Sequence, residues 1–564
     1  VREAAAAALG SLGVTVERVS ADLTNANWQV RAAAVASLAR LGDARAVPGI
    51  AALLKDPNPR VRSEAARALA VFADPRAVDP LISAVGDQNS EVRLATATAL
   101  GVFKQPRVVG PLTSLLGDSD PRVSAAAAES LARMDDRSVI RLLVDSLSNP
   151  DWHVRARAAQ VLASVPSAAS SGGAAPSLAN AMRDKDLVVR YYAAEALVGI
   201  GAPAVQELMP LLRSPQQNDR ARAARVLIRI GRPSVAPLIA FVRDKTGTAE
   251  SRADAALILG RLGDPTAVDP LVQLLEDERY QLREAGSRAL GQIGEPAVER
   301  LIQVAKSTDR LLSLPKSSVV PSREAAIQAL GAIGTPAVVE VLVKTLSDQA
   351  SGVRAAAVKA LGETRSEMAV GPLMSLLVDE SSALRSPAAA ALARLGPLAL
   401  PGLTTALRDS RPSVRVLAAQ ALGETGLKEA VPLLIEVART DSSAARGEAI
   451  EALGRIGDTN AIDPIIAAMA NGSVVLRRKA AAALASLRDP RAVPALVTAL
   501  ADRDPEVRQA AAAGLAETGD ASVLAKLEQL AENDSSGDVR TAAATSAERV
   551  RARNGKSSAS VPKR

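Results

Sequence analysis

Apolar positions along this chain recur three and four residues apart within short segments, and the segments themselves recur. In VRSEAARALAVFADPRAVDPLISAVGD, residues 61–87, Val61, Ala65, Leu69 and Phe72 share one helical face, and Val78, Leu81, Ile82 and Val85 share another. The spacing predicts two amphipathic helices per unit. Asp74-Pro75-Arg76, Asp264-Pro265 and Asp489-Pro490-Arg491 supply turns between units, and Gly42, Gly201, Gly231, Gly263, Gly294 and Gly334 stand just past second helices. A glycine there suits the left-handed residue that ends a helix. A proline recurs in the first helix, among others at Pro48, Pro80, Pro111, Pro270 and Pro494, where it starts or kinks that helix.

The unit repeats along the whole chain. With Arg62 as phase marker, equivalent positions run from Arg2 and Arg31 to Arg508 and Arg540; arginine holds 17 of the 18 places, and Ser124 is the departure. A leucine follows each marker by seven residues, except at Ala547, and the commonest spacing is 31 residues. Units of this size cannot bury an apolar face alone and do so against their neighbours, so the period predicts an all-α solenoid of about seventeen helix pairs.

Two stretches break the rhythm. PSAASSGGAAP, residues 166–176, has the composition of a flexible surface loop, and STDRLLSLPKSSVVP, residues 307–321, lengthens one repeat. Leu311, Leu312 and Leu314 make the second insertion more apolar than a solvated loop requires, which marks them as candidate partner-binding residues. The chain opens on Val1 inside a repeat, as a fragment or processed product would. At the other end Ala547, Glu548 and Arg549 read as a polar cap, and residues 551–564 as a disordered basic tail.

Composition narrows the chemistry. The absence of cysteine removes disulfides, thiolate metal sites and a Cys nucleophile, and a single histidine, His153, is nearly as restrictive. The formal net charge is +7, but Arg549, Arg551, Arg553, Lys556, Lys563 and Arg564 carry six of those charges within the last sixteen residues. The body before them is close to neutral, so weak nucleic-acid contact is expected only through the tail. No apolar run is long enough to span a membrane. No signal peptide is visible, which says little of a chain that opens inside a repeat; a cytoplasmic location is favoured.

The consensus DPRAVxPLxxxLxDxxxxVRxxAAxALGxxG resembles the short HEAT repeat of the phycobilisome-lyase type, over essentially the whole chain to about residue 550. The resemblance implies an α-α superhelix, a HEAT-like solenoid over residues 1–550 that begins mid-repeat. It also implies that second helices line the concave surface and that an Asp in the turn pairs with the Arg opening the second helix, building a ladder. An aspartate stands six residues before the marker in ten units, including Asp56 before Arg62 and Asp348 before Arg354. Asn25, Asn149 and Asn471 replace it elsewhere, and the ladder is expected to break where Asp118 faces Ser124.

The register sorts the remaining candidates. Phe72 and Phe103 fall where other repeats place Leu or Ile and are expected in the core; Trp28, Trp152 and Tyr280, three residues before the marker, are expected to pack over the turn. Tyr191 and Tyr192 fall at outward positions, and Arg222, Arg225 and Arg229 follow at helical spacing in the next unit, beside Arg220. Aromatic rings beside guanidinium groups could stack on a planar ligand or clamp an acidic partner. Arg477, Arg478 and Lys479 read as a solvated cluster.

An enzyme is disfavoured: no P-loop, G-x-S-x-G or H-E-x-x-H pattern occurs. Deoxyhypusine hydroxylase, which also has HEAT-like repeats, binds iron through several His-Glu motifs, and here the one histidine is followed by valine. The best reading is a non-catalytic scaffold or assembly factor with a protein partner and no cofactor. A bilin or tetrapyrrole lyase-like chaperone subunit is the alternative, and a nucleic-acid-binding solenoid the second.

Overall fold

A repeat starts with a cap. Asp74 has extended backbone and its carboxylate accepts a hydrogen bond from the Arg76 amide, Pro75 opens a 3-10 turn, Pro75–Ala77, and the chain runs on into the short helix Val78–Ser83. Helix starts leave their first amides unpaired, so a proline in this turn loses little. Pro80 stands within the first turn of Val78–Ser83 and starts that helix instead of kinking it. Asn89 then caps the second helix, Ser90–Leu100, by accepting from the Glu91 amide at 3.0 Å. First helices are shorter than the apolar pattern predicts, six residues in Val47–Ala52, Val78–Ser83 and Val109–Ser114, with 3-10 turns making up the remainder.

The computed structural model describes residues 15–134, 137–307, 316–379 and 382–558, and among them there is no strand. Its contacts divide the chain into two compact units, Val1–Ala267 and Val268–Arg564. In the first, the second helices Trp28–Leu41, Pro59–Phe72, Ser90–Leu100, Pro121–Ala132, Trp152–Ser164, Leu187–Ile200, Gln217–Ile230 and Ala249–Leu262 each pack on the next. In the second unit the same succession runs from Tyr280–Ile293 to Gly537–Ser558. The all-α repeat architecture predicted from the periodicity is what each unit contains.

The core is the marker-plus-seven column. From Leu38 to Leu515 these leucines have no exposed surface, and burying each contributes about 1.5–3 kcal/mol. Small residues let second helices touch. Gly454 faces Ala483 of the next helix so closely that a Cβ on it would lie 2.8 Å from the Ala483 Cα, and Gly331, Gly362 and Gly423 repeat the contact.

Several expectations need correction. Residues 166–176 are not a loop: Pro166 begins the helix Pro166–Ser171, and a second helix starts at Ala175, with Ala169, Ala174 and Ala175 buried. The alanines favour helix, and a Cβ on Gly172 would meet Ile140 Cγ2 at 2.4 Å, so the glycine is a packing residue. Phe103 is buried but Phe72 only half so, while Trp152 and Tyr280 are exposed, not folded over their turns. The last helix continues to Ser558, past the expected boundary at 550. There Arg551 pairs with Glu528, and Arg553 donates to the Ala516 carbonyl at 3.0 Å and to the carbonyls of Glu517 and Gly519. Leu311, Leu312 and Leu314 lie outside the described residues.

Candidate functional site

The marker arginines form a ladder offset by one repeat from the pairing expected. Arg62 Nη1 donates to the carbonyls of Asp56 and Pro57 at 2.8 and 3.2 Å, within its own turn. Its Nε and Nη2 donate to the Asp87 carboxylate of the following repeat at 2.6 and 2.8 Å. The Asp56 carboxylate is held by Arg31, at 2.6 and 2.8 Å. Likewise Arg354 Nη1 reaches the Asp348 carbonyl at 2.7 Å, while the Asp348 carboxylate belongs to Arg323. Burial pushes the Asp56 and Asp348 carboxyls up, but the bonds from Arg31 and Arg323, those from the Asn58 and Ala350 amides and the neighbouring guanidinium charges together hold both below the ordinary value. One arginine thus ties two repeats, by a planar fork that a lysine could not reproduce.

The same offset moves the break. Asp118 is taken by Arg93 at 2.6 and 2.8 Å, so the rung that lacks its arginine lies between Ser124 and Asn149, twenty-five residues on, whereas Arg190 and Arg446 are present but bond only carbonyls among the described residues. Both partners of that rung are replaced together. Ser124 Oγ bonds the Pro121 carbonyl at 3.2 Å, and Asn149 Oδ1 accepts from the Asp151 amide at 2.9 Å.

The arginines beside Tyr191 and Tyr192 are largely engaged. Arg229 forks onto Glu195 at 2.5 and 2.9 Å and holds that carboxyl below its ordinary value. Arg222 donates to Asp219 and to the Met182 carbonyl, both at 3.2 Å, and Arg220 to Asp254 at 2.6 Å. Burial raises the Asp219 carboxyl, and bonds from Arg183 and Ser214 bring it below the ordinary range. Arg225 is exposed and forms no ion pair among the described residues. The Arg477–Lys479 cluster is neutralised too: Arg477 pairs with Asp502, Arg478 with Asp504 and Glu506, and Lys479 with Glu448 and Glu451.

Two consecutive second helices also leave apolar side chains open at their starts. Trp152, at the start of one, is 39% exposed; Leu187, Val188 and Tyr191, opening the next, are 69%, 41% and 57% exposed. The Tyr191 and Tyr192 rings meet edge to face at 5.2 Å, and Trp152 stacks on His153 at 3.8 Å. Trp152, Val188 and Tyr192 share one cleft of about 650 Å³ with Asp118, Ser124 and Asp151. Sequence reasoning singled out the tyrosines, read Trp152 as packing over its turn and did not weigh Leu187 and Val188; their signal is the coincidence of apolar residues at second-helix starts with the broken rung.

Among the described residues, no group of three or more His, Asp or Glu side chains is placed to hold a metal ion, and no helix is long and apolar enough to cross a membrane.

A family model described as HEAT repeats matches residues 16–90, 78–163, 142–227, 175–249, 235–314, 311–393, 400–479 and 462–548. No curated protein matches the chain. Among solved structures it is similar to the karyopherin Kap121p, at 13% identity over 97% of this chain and 79% of that one with a TM-score of 0.35. A structure of Kap121p bound to Ste12p gives 11% identity, 97% and 79% coverage and a TM-score of 0.36. Importin beta gives 14% identity over 96% of this chain and 99% of its own, with a TM-score of 0.32. The eight matched segments run through both units, and this chain belongs to the HEAT-repeat family.

Proposed function

We propose that this chain is a non-catalytic scaffold that binds a protein partner through the starts of its second helices between residues 152 and 192. The observation that carries the reading is the exposure of Trp152, Leu187, Val188 and Tyr191 at the starts of two consecutive second helices, where Trp152 and Val188 line one cleft. A contiguous apolar patch exposed on a folded surface marks an interaction site, because leaving it in water forgoes about 25 cal/mol per Å². The charge pairs around it favour a protein over a polyanion. Arg220, Arg222 and Arg229 are committed to Asp254, Asp219 and Glu195, and drawing them to phosphates would strand those carboxylates.

A photo-crosslinking residue at position 191, in cells that express the protein, tests this. Crosslinking to one discrete polypeptide is expected, with none from a control position at Arg503 on the second unit. The Leu187→Glu/Tyr191→Glu variant should keep its circular dichroism and melting and lose co-purification of that polypeptide. Undiminished co-purification would overturn the reading.

A further inference from the structure

We propose that the cleft at the broken rung receives the guanidinium of an arginine side chain from a protein partner, completing the ladder in trans. This deepens the docking face above and rests on it.

In the flanking repeats the marker arginine is held by two carbonyls of its own turn. Arg93 Nη1 lies on the Asp87 and Gln88 carbonyls at 2.8 and 3.1 Å, and Arg155 Nη1 on the Asn149 and Pro150 carbonyls at 2.8 and 3.0 Å. The repeat between them has the same turn but carries Ser124 in place of arginine. Ser124 Oγ turns to the Pro121 carbonyl, and no donor among the described residues reaches the carbonyls of Asp118 and Ser119. Both residues line the cleft, and in the flanking repeats the equivalent pair of carbonyls takes one guanidinium nitrogen, Nη1.

The cleft also has an aromatic wall. Trp152 holds the same register as Trp28, three residues before a marker. Arg60 of the following repeat lies over the Trp28 ring at 5.3 Å. The residue equivalent to Arg60 beside Trp152 is Val188, so here the fold supplies the ring and not the cation. A guanidinium stacks on such a face while its N–H groups, in the ring plane, still reach acceptors at its edge. An ammonium satisfies only one of these demands at a time.

Charge in the cleft is nearly balanced. The ionisable side chains lining it are Asp118, Asp151, His153, Arg157 and Tyr192. Asp118 is already bound to Arg93, and Asp151 Oδ1 accepts from the His153 amide and lies 2.9 Å from His153 Nδ1. Arg157 bonds the Gln160 side chain at 2.8 Å and balances the charge of Asp151, so the cleft selects by its carbonyl acceptors and its aromatic stack and not by net charge.

The test uses the full chain carrying Trp28→Phe, which leaves Trp152 as the single tryptophan, titrated with N-acetyl-arginine amide, N-acetyl-lysine amide and N-acetyl-citrulline amide. Saturable quenching by the arginine amide is expected, weaker by roughly tenfold or more for lysine and citrulline, which lose the fork or the charge. Adding Ser124→Arg/Asn149→Asp should rebuild the rung internally, raise the melting temperature and abolish the quenching. The proposal is overturned if citrulline quenches as well as arginine, or if the rebuilt rung leaves arginine quenching unchanged. Co-purification judges the docking face separately: loss of the partner in Leu187→Glu/Tyr191→Glu with arginine quenching retained upholds both, and loss of the partner in the rebuilt-rung variant places the arginine on that partner.

Discussion

Arg62 binds Asp87 of the next repeat through its side chain and Asp56 of its own repeat through a backbone carbonyl, so the two aspartates it touches play different parts. The arginine is a strut between successive turns. Its side chain and that of Asp87 are 16% and 11% exposed, low enough for the pair to escape most solvent screening.

A double-mutant cycle separates the two contacts. Arg62→Ala should cost about 2–4 kcal/mol, because it leaves two carbonyls unpaired and the half-buried Asp87 carboxylate with only its bond from the Asn89 amide. The cycle of Arg62→Ala with Asp87→Ala should show coupling of about 1–3 kcal/mol, while that with Asp56→Ala should show little, since the Asp56 carboxylate belongs to Arg31. Equal coupling in the two cycles, measured by hydrogen exchange at the turns, would place the pairing within the repeat.

Acid should loosen the ladder in a defined window. Burial pushes the Asp441 carboxyl up, but the Arg415 guanidinium and the Ser443 hydroxyl and amide hold it down at about 2. Its ordinary value in an unfolded chain is about 3.9. A depressed carboxyl stabilises the fold fully above the unfolded value and loses that contribution as pH falls through the folded one. Protection around the Arg415–Asp441 turn should therefore decline between about pH 4 and pH 2, and Asp441→Asn should flatten that dependence. A parent protein whose exchange there is unchanged across this range would refute the pairing.

Helix contact in the second unit makes its own prediction. Gly454→Val would drive its side chain into Ala483, whose Cα and Cβ both lie 2.8 Å from an added Cβ. Backbone must move, at a cost of about 1–3 kcal/mol or more. Gly371, with nothing within 4 Å of its Cβ position, is the control, and Gly371→Ala should leave the melting temperature within a degree or two. Equal effects at the two sites would mean that the close contact does not hold in solution.

Periodicity exposed the fold because the physics of a repeat is local: an apolar stripe, a cap and a turn recur, and Leu38 to Leu515 are buried as their register requires. It did not expose which partner each arginine takes. Asp56 stands six residues from Arg62 and twenty-five from Arg31, and only the stacking distance between turns selects the longer separation. Trp152 shows the same limit. Its register equals that of Trp28, and its exposure depends on Val188 standing where Arg60 does, a comparison across two repeats that no single helix pattern contains. The pair Ser124 and Asn149 was visible as two departures; their being one missing rung was not.

The carboxyl end divides where its arginines stop touching the body, not at residue 550. Arg549 pairs with Glu517 at 3.3 Å, Arg551 with Glu528, and Arg553 with three carbonyls of the preceding repeat, while Val550 has no exposed surface. Removing residues 554–564 takes away Lys556, Lys563 and Arg564, lowering the formal net charge from +7 to +4. It should leave protection in the helix Leu524–Asn533 intact and reduce the salt slope of polyanion binding by at most about 3. Removing residues 549–564 should add a structural loss, because burial of Val550 alone contributes about 1.5–3 kcal/mol. Exchange in Leu524–Asn533 should then rise sharply in the longer deletion and not in the shorter one. If the two deletions loosened that helix equally, Arg549, Arg551 and Arg553 would be tail residues after all, and their contacts with Glu517, Glu528 and the 516–519 turn would contribute nothing to holding the last repeat.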